Sequence, residues 1–131
     1  MPNLALWSPR VLSLLRIVTG LLFMEHGLMK AVGFPIPQAG VPDPLPPILM
    51  AAAAIEILGG ALITLGLFTR AAAFICAGEM AVAYFMGHAT KSFWPGVNQG
   101  GEAILYSFIF LYLAFAGGGE WSLDAAVRKR P

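Results

Sequence analysis

Apolar segments of about twenty residues alternate with short polar segments along this chain, and the alternation predicts an all-α bundle of four membrane-spanning helices. We expect these helices at about 11–30, 47–67, 70–89 and 99–117, followed by a polar tail at 118–131. Six prolines lie between positions 35 and 47. Because proline lacks a backbone N–H, this connection cannot continue a helix. The chain is therefore expected to form a single transmembrane domain.

One glutamate interrupts each apolar segment. These residues are Glu25, Glu56, Glu79 and Glu102. A carboxylate at membrane depth costs about 2.5 kcal/mol or more on insertion scales, so it normally faces protein, water or a ligand and not lipid. The interior of the predicted bundle is therefore the place to look for function.

The depth of two of these acids predicts a buried charged layer. A helix rises about 1.5 Å per residue, so Glu56 lies roughly 13 Å from the helix start at Pro47, and Glu79 reaches a similar depth in the third helix. The long side chain of Arg16 brings it within reach of that depth. We predict a buried ion-pair layer of Arg16, Glu56 and Glu79. At about 100° per residue, Glu25 falls nearly opposite Arg16 and is expected at the periphery.

A second polar layer lies nearer the two long connections. Its members are His26, Lys30, His88 and Glu102. A histidine exchanges protons near neutral pH, and a buried carboxyl group can also carry a proton. We predict that these four side chains line a candidate ligand or proton pocket above the deeper charged layer.

Composition agrees with an integral membrane protein. The 131 residues are 58% hydrophobic and 11% charged, with a mean hydropathy of +0.75, whereas soluble domains are about 25% charged. The net charge is +1 and the basic residues are dispersed, which argues against nucleic-acid binding. A single cysteine, Cys76, excludes an internal disulfide and a paired-cysteine thiol relay.

The distribution of basic residues predicts the orientation in the membrane. Two of them, Lys30 and Lys91, lie on the side of the long connections. The other six lie on the side of the termini: Arg10, Arg16, Arg70, Arg128, Lys129 and Arg130. The positive-inside rule then places both termini in the cytoplasm of a bacterial-type inner membrane. The first apolar segment has no convincing cleavage site after it, so we expect a retained helix.

Several kinds of chemistry fit these polar positions. The Glu-x-x-His pattern of di-iron bundles is absent, and we assign no metal, although His26, His88 and Glu102 leave a mononuclear site geometrically open. A quinone or another apolar ring is a second ligand class. Its electrons would come from another subunit or cofactor, because the sequence has no CxxCH haem site, dinucleotide loop or iron–sulfur cysteines. Proton or small-solute permeation is a third possible function. In a purely structural interpretation, the acidic residues serve only to hold the helices together through hydrogen bonds.

The order of short motifs along the chain resembles the DoxX family of small four-helix membrane proteins. The segments that carry the resemblance are LRIVTGLLF (15–23), HGLMK (26–30), AIEILGG (54–60), LGLFTR (65–70), MAVAYF (80–85) with His88, FWP (93–95), NQGGE (98–102), LY (105–106) and WSLD (121–124). Each motif is weak alone, but their order and spacing cover nearly the whole chain.

The resemblance implies an inner-membrane subunit with a quinone-linked redox or oxidative-stress function. A relative, DoxD, is linked to thiosulfate:quinone oxidoreductase, and other members are associated with oxidative-stress membrane complexes. The resemblance assigns neither catalysis nor a cofactor to this chain, and a quinone is a candidate cofactor. The expected partners are the lipid bilayer, proteins of a membrane redox complex and a second copy of the chain. A non-catalytic assembly protein and a transporter stay as alternatives. The family's polar positions correspond to Arg16, His26, Lys30, Glu56, His88 and Glu102.

Overall fold

The computed structural model of the chain describes residues 2–128, which form an all-helical bundle. Lys129 and Arg130, which contributed to the predicted orientation, lie outside the described residues. The helices are α1 (Ser8–Val32), α2 (Pro47–Leu65), α3 (Thr69–Gly87), α4 (Pro95–Asn98), α5 (Gly101–Ala116) and α6 (Leu123–Arg128). The predicted all-α fold is confirmed: α1, α2, α3 and α5 are the long helices of the bundle.

Local sequence explains where the first two helices begin and end. Pro9 lies in the first turn of α1 and Pro47 opens α2, where the missing N–H costs nothing. Gly33 and Gly66 end these helices with φ values of 68° and 71°, in the left-handed region that glycine adopts without strain. α1 extends beyond its predicted bounds at both ends, and part of the predicted polar tail is helical as α6.

The long helices pack as two hairpins. α1 lies along α2, α3 lies along α5, and contacts between α2 and α3 join the two pairs. Glycines allow α1 and α2 to approach closely. A Cβ atom added to Gly60 would lie 2.8 Å from the Cβ of Met24, and one added to Gly27 would lie 2.9 Å from the Cβ of Glu56. Gly27 therefore brings α1 directly against Glu56.

The bundle buries a few charged residues in a mostly apolar interior and leaves large apolar side chains on its outer surface. Arg16 and Glu56 are each 1% exposed, whereas Phe74, Phe85 and Phe115 are 67%, 68% and 75% exposed. Soluble monomers rarely leave so much apolar surface uncovered. The segments Leu4–Val32 and Pro47–Leu65 are long and apolar enough to cross a membrane, and Gly101–Ala116 is a shorter apolar helix. This distribution is consistent with a membrane helical bundle.

The two ends of the bundle differ in their connections. We call "loop end" the end formed by the connections 33–46 and 88–100, and "tail end" the end formed by the turn 66–68 and residues 117–128. At the tail end, Asp124 Oδ1 and Oδ2 accept hydrogen bonds from the backbone N–H groups of Phe68 and Thr69, each at 2.9 Å. The C-terminal segment is thereby attached to the start of α3.

Candidate functional site

An ion pair between α1 and α2 lies in the interior near the loop end. Lys30 Nζ donates to Glu56 Oε1 at 2.7 Å, and the two side chains are 11% and 1% exposed. The direction of helical side chains explains the contact. Cα–Cβ bonds tilt toward the helix N-terminus, so Lys30, near the end of α1, reaches back into the bundle. Gly27, one turn earlier, keeps the two helices close enough for this contact.

Arg16 does not join this ion pair, which corrects the predicted grouping of Arg16 with Glu56 and Glu79. The same tilt directs the Arg16 side chain away from the loop end and toward the tail end. There its guanidinium group donates to backbone carbonyl oxygens, those of Thr64, Gly118 and Trp121. Lys30, and not the predicted Arg16, supplies the positive charge beside Glu56.

Glu79 of α3 adds a second carboxyl group beside the ion pair. It is a direct neighbour of Glu56. The Oε2 atom of each glutamate is buried and has no hydrogen-bond partner among residues 2–128. Two carboxylates beside one ammonium group leave an excess negative charge unless a proton is held between the carboxyl groups. This cluster of Lys30, Glu56 and Glu79, which we call the floor cluster, can therefore carry one exchangeable proton.

His26 and Glu102 form a second pair closer to solvent. His26 Nε2 lies 2.6 Å from Glu102 Oε1, with the side chains 32% and 61% exposed. Because a carboxylate only accepts hydrogen bonds, Nε2 is the donor. The ring of Tyr106 packs edge-on against the His26 ring, with centroids 5.9 Å apart. The pair connects α1 to α5 and so joins the two hairpins at the loop end.

His88 lies just beyond the end of α3 at Gly87 and is no longer held to the angular spacing of that helix. Its Nδ1 lies 2.9 Å from the backbone oxygen of Asn98. A carbonyl oxygen only accepts, so Nδ1 is the donor, and in the neutral ring Nε2 is left as an acceptor. The connection 88–100 thereby fixes the orientation of this imidazole.

These side chains line one cavity of about 850 Å³ at the loop end. The structure brings six of the seven predicted site residues to it: His26, Lys30, Glu56, Glu79, His88 and Glu102. Apolar side chains form most of the wall, among them Phe23, Ile55, Ile75, Ala83 and Met86. Organic ligands bind in concave, mostly apolar pockets of about 300–1,000 Å³ with a few well-placed polar groups. The cavity has that size and that character.

A metal site is not assembled by the candidate ligands. Within the described range 2–128, no group of three or more His, Cys, Asp or Glu side chains is placed to hold a metal ion.

Tyr106 and Gln38 are among the cavity residues that were missed from the sequence. Tyr106 lies one turn after Glu102 on α5 and faces the same cavity. The helical spacing of these two residues is a signal that would have identified it. Gln38 lies in the proline-rich connection and also lines the cavity, with its Oε1 buried. No periodicity predicts the path of such a connection, so the sequence offers no signal for Gln38.

Comparison with known proteins agrees with the motifs. The DoxX family model matches residues 11–89, which is more than half of the chain. The chain belongs to the DoxX family. A Haemophilus influenzae protein described as uncharacterized is 45% identical over 137 residues, covering 99% of this DoxX chain and 100% of the relative. The inner membrane protein YqjF of Escherichia coli is 31% identical over 122 residues, covering 88% and 90%. No solved structure matches the chain.

Family membership confirms the resemblance found in the sequence motifs. This DoxX protein is a membrane protein, and its bundle interior holds Arg16 and Glu56, two of the polar residues that the motifs contain.

Proposed function

We propose that this DoxX protein is an inner-membrane subunit that binds a quinone or a similar ring in the loop-end cavity and acts in quinone-linked redox metabolism or redox-stress defence. The observation that carries the proposal is a cavity with apolar walls and an ionisable group cluster at its floor. A quinone combines an apolar ring and tail with two polar oxygens, so it needs both kinds of surface.

The residues of the cavity fit such a ring. The Lys30 ammonium group carries three N–H donors, and its bond to Glu56 uses one of them. A ring oxygen can accept from another. The His26–Glu102 pair lies between the floor cluster and solvent, and a histidine can pass protons near neutral pH. When bound, the quinone supplies the two-electron chemistry, and a partner protein supplies or removes the electrons.

We also propose that the bundle crosses the inner membrane several times, with the tail end in the cytoplasm. Arg10, Arg16, Arg70 and Arg128 lie toward the tail end, against Lys30 and Lys91 toward the loop end. Lys/Arg-rich connections stay on the cytoplasmic side. A reporter active only in the cytoplasm, fused after residue 131, should be active. Activity of a matched reporter that works only outside the cytoplasm would contradict the orientation.

Equilibrium binding measurements test whether the cavity binds a quinone. The purified protein in lipid nanodiscs should bind decylubiquinone, and Glu56→Gln and His88→Ala should each weaken binding about tenfold or more, the equivalent of about 1.4 kcal/mol. Glu25→Gln is the matched control, because Glu25 is exposed and does not line the cavity. Absence of quinone binding, together with unchanged membrane redox responses in Glu56→Gln and His88→Ala cells, would refute the proposal.

A non-catalytic assembly protein is the rival function, and one observation favours it. The buried Lys30–Glu56 pair joins α1 to α2 and accounts for both charges without a ligand. In that case Glu56→Gln should lower the stability of the bundle and change no ligand affinity. A proton or solute flux in liposomes containing the protein would instead favour a transporter.

A further inference from the structure

We infer that the loop-end cavity prefers the reduced, hydroxyl-bearing form of its ring ligand to the oxidised, carbonyl-bearing form. The inference rests on the proposed function, since it concerns the same cavity and the same ligand class. A quinone presents two oxygens that only accept hydrogen bonds. A hydroquinone presents two hydroxyl groups, which both donate and accept. The hydrogen-bonding character of the cavity therefore decides which form binds better.

The floor cluster is rich in acceptors. Glu56 is 1% exposed and lines the cavity, and only its Oε1 receives a hydrogen bond, from Lys30. Its Oε2 and the Oε2 of Glu79 are buried and have no partner in the described part of the chain. A buried acceptor that is left unsatisfied costs about 1–3 kcal/mol, and more when it is charged. A ligand hydroxyl group can satisfy such an atom, whereas a ligand carbonyl cannot.

Tyr106, Gln38 and Gln99 also line the cavity and carry donors, so the excess of acceptors belongs to the floor cluster alone. The two histidines do not offset it. The Nε2 of His26 donates to Glu102, and the Nδ1 of His88 donates to the backbone oxygen of Asn98. Each neutral ring has one N–H, so the remaining nitrogen of each ring is an acceptor. The N–H groups of both histidines are thus bonded within the protein, one to Glu102 and the other to the connection 88–100.

Lys30 does not distinguish the two forms of the ligand. Its ammonium group can donate to a quinone carbonyl or to a hydroquinone hydroxyl oxygen, since both accept. The discrimination therefore lies with the ionised oxygens of Glu56 and Glu79, which accept but do not donate and so bind only the form that carries O–H groups.

The preference holds for either protonation state of the carboxyl pair. If both carboxyl groups are ionised, a donated O–H offsets the repulsion between two neighbouring negative charges. If they share one proton, that proton joins one oxygen of each carboxyl group and Lys30 bonds to Glu56 Oε1, which leaves one carboxyl oxygen without a donor. A hydroxyl group finds an acceptor in both cases.

The test compares the affinities of decylubiquinol and decylubiquinone for the purified protein in nanodiscs, under anaerobic conditions. We expect the reduced form to bind at least tenfold more tightly. A tenfold preference would raise the midpoint potential of the bound two-electron couple by about 30 mV. This potential is a second readout that does not depend on any enzymatic assay.

Substitutions test whether the floor cluster causes the preference for the reduced form. Glu79→Gln replaces one carboxyl oxygen by an amide that donates, so the ratio of the two affinities should fall toward one, mainly through tighter quinone binding. Lys30→Met should weaken the binding of both forms and leave their ratio high. Glu25→Gln, outside the cavity, should change neither affinity.

The outcomes separate this inference from the proposed function. Equal affinity for the two forms, or tighter binding of decylubiquinone by the wild-type protein, overturns the inference while the proposed function stands. Binding of neither form overturns both. The wild-type ratio decides the question even if Glu79→Gln fails to fold.

Discussion

Among the single residues of the site, Lys30 determines how the buried acids are accommodated. Arg16 and Lys30 share one face of α1, so helical periodicity alone does not show which of them meets Glu56. The tilt of side chains toward the helix N-terminus separates the two, because it directs Lys30 inward from the loop end and Arg16 toward the tail end. Helix depth thus predicted that Glu56 lies inside the bundle beside a basic side chain. Which basic residue is its partner depended on the direction of the side chains.

Removing the Lys30 charge should destabilise the bundle. Breaking a buried ion pair on one side typically costs about 3–5 kcal/mol, since the other charge is left buried without compensation. Protonation of the carboxyl pair limits this cost, so we expect Lys30→Met to lose about 3 kcal/mol, and Lys30→Met with Glu56→Gln to recover part of it. Reversible unfolding in mixed detergent micelles measures both values.

Lys91→Met is the matched control, because Lys91 is exposed in the connection 88–100. It should change the free energy of unfolding by no more than about 0.5 kcal/mol. Equal losses from Lys30→Met and Lys91→Met would show that the Lys30–Glu56 contact does not stabilise the fold.

Among the helices, α3 depends on a residue that is distant in sequence. No side chain next to Thr69 caps the helix. Instead Asp124, at the start of α6, accepts from the first N–H groups, those of Phe68 and Thr69. Burial acts to raise the pKa of Asp124, but these backbone hydrogen bonds outweigh it and hold the pKa below its ordinary value. Sequence periodicity predicted α3, but it could not show a cap that lies 55 residues away.

The Asp124 cap should make attachment of the tail dependent on pH. A carboxyl group with a depressed pKa in the folded state stabilises that state fully above its unfolded pKa of about 3.9, and the contribution is lost as pH falls through the lower, folded value. The hydrogen-exchange protection factors of residues 117–128, which are corrected for the intrinsic rate at each pH, should therefore fall below about pH 4. Asp124→Asn should weaken protection at neutral pH by about 0.5–2 kcal/mol, the usual value of a helix cap, and remove this pH dependence.

Glu120→Gln is the control for the tail. Glu120 forms an exposed pair with Arg10 at 3.3 Å, and exposed pairs contribute about 0–1 kcal/mol. Its loss should leave the pH profile of the tail unchanged. An identical profile in wild-type protein and Asp124→Asn would mean that Asp124 does not hold the tail.

For the whole molecule, the apolar segments predicted the bundle and the polar positions predicted a pocket, but the sequence did not predict the walls of that pocket. Segment length and proline positions define where α1 and α2 run, and the four glutamates indicate which segments have a polar side. The cavity depends on how the two hairpins meet and on the connection that carries Gln38. Neither feature is periodic, so only the three-dimensional arrangement shows the apolar walls of the cavity and the place of Gln38 beside it.

The central claim is that a quinone-type ring occupies the loop-end cavity, and photolabelling with an azido-quinone tests it most directly. Residues on α3 give an internal contrast: Met80 lines the cavity and is 8% exposed, whereas Phe74 and Phe85 do not line it and are 67% and 68% exposed on the apolar outer surface. Peptide mass spectrometry should find the label on the cavity residues, and excess decylubiquinone should suppress it. Label mainly on Phe74 and Phe85, or label that decylubiquinone does not suppress, would contradict the claim.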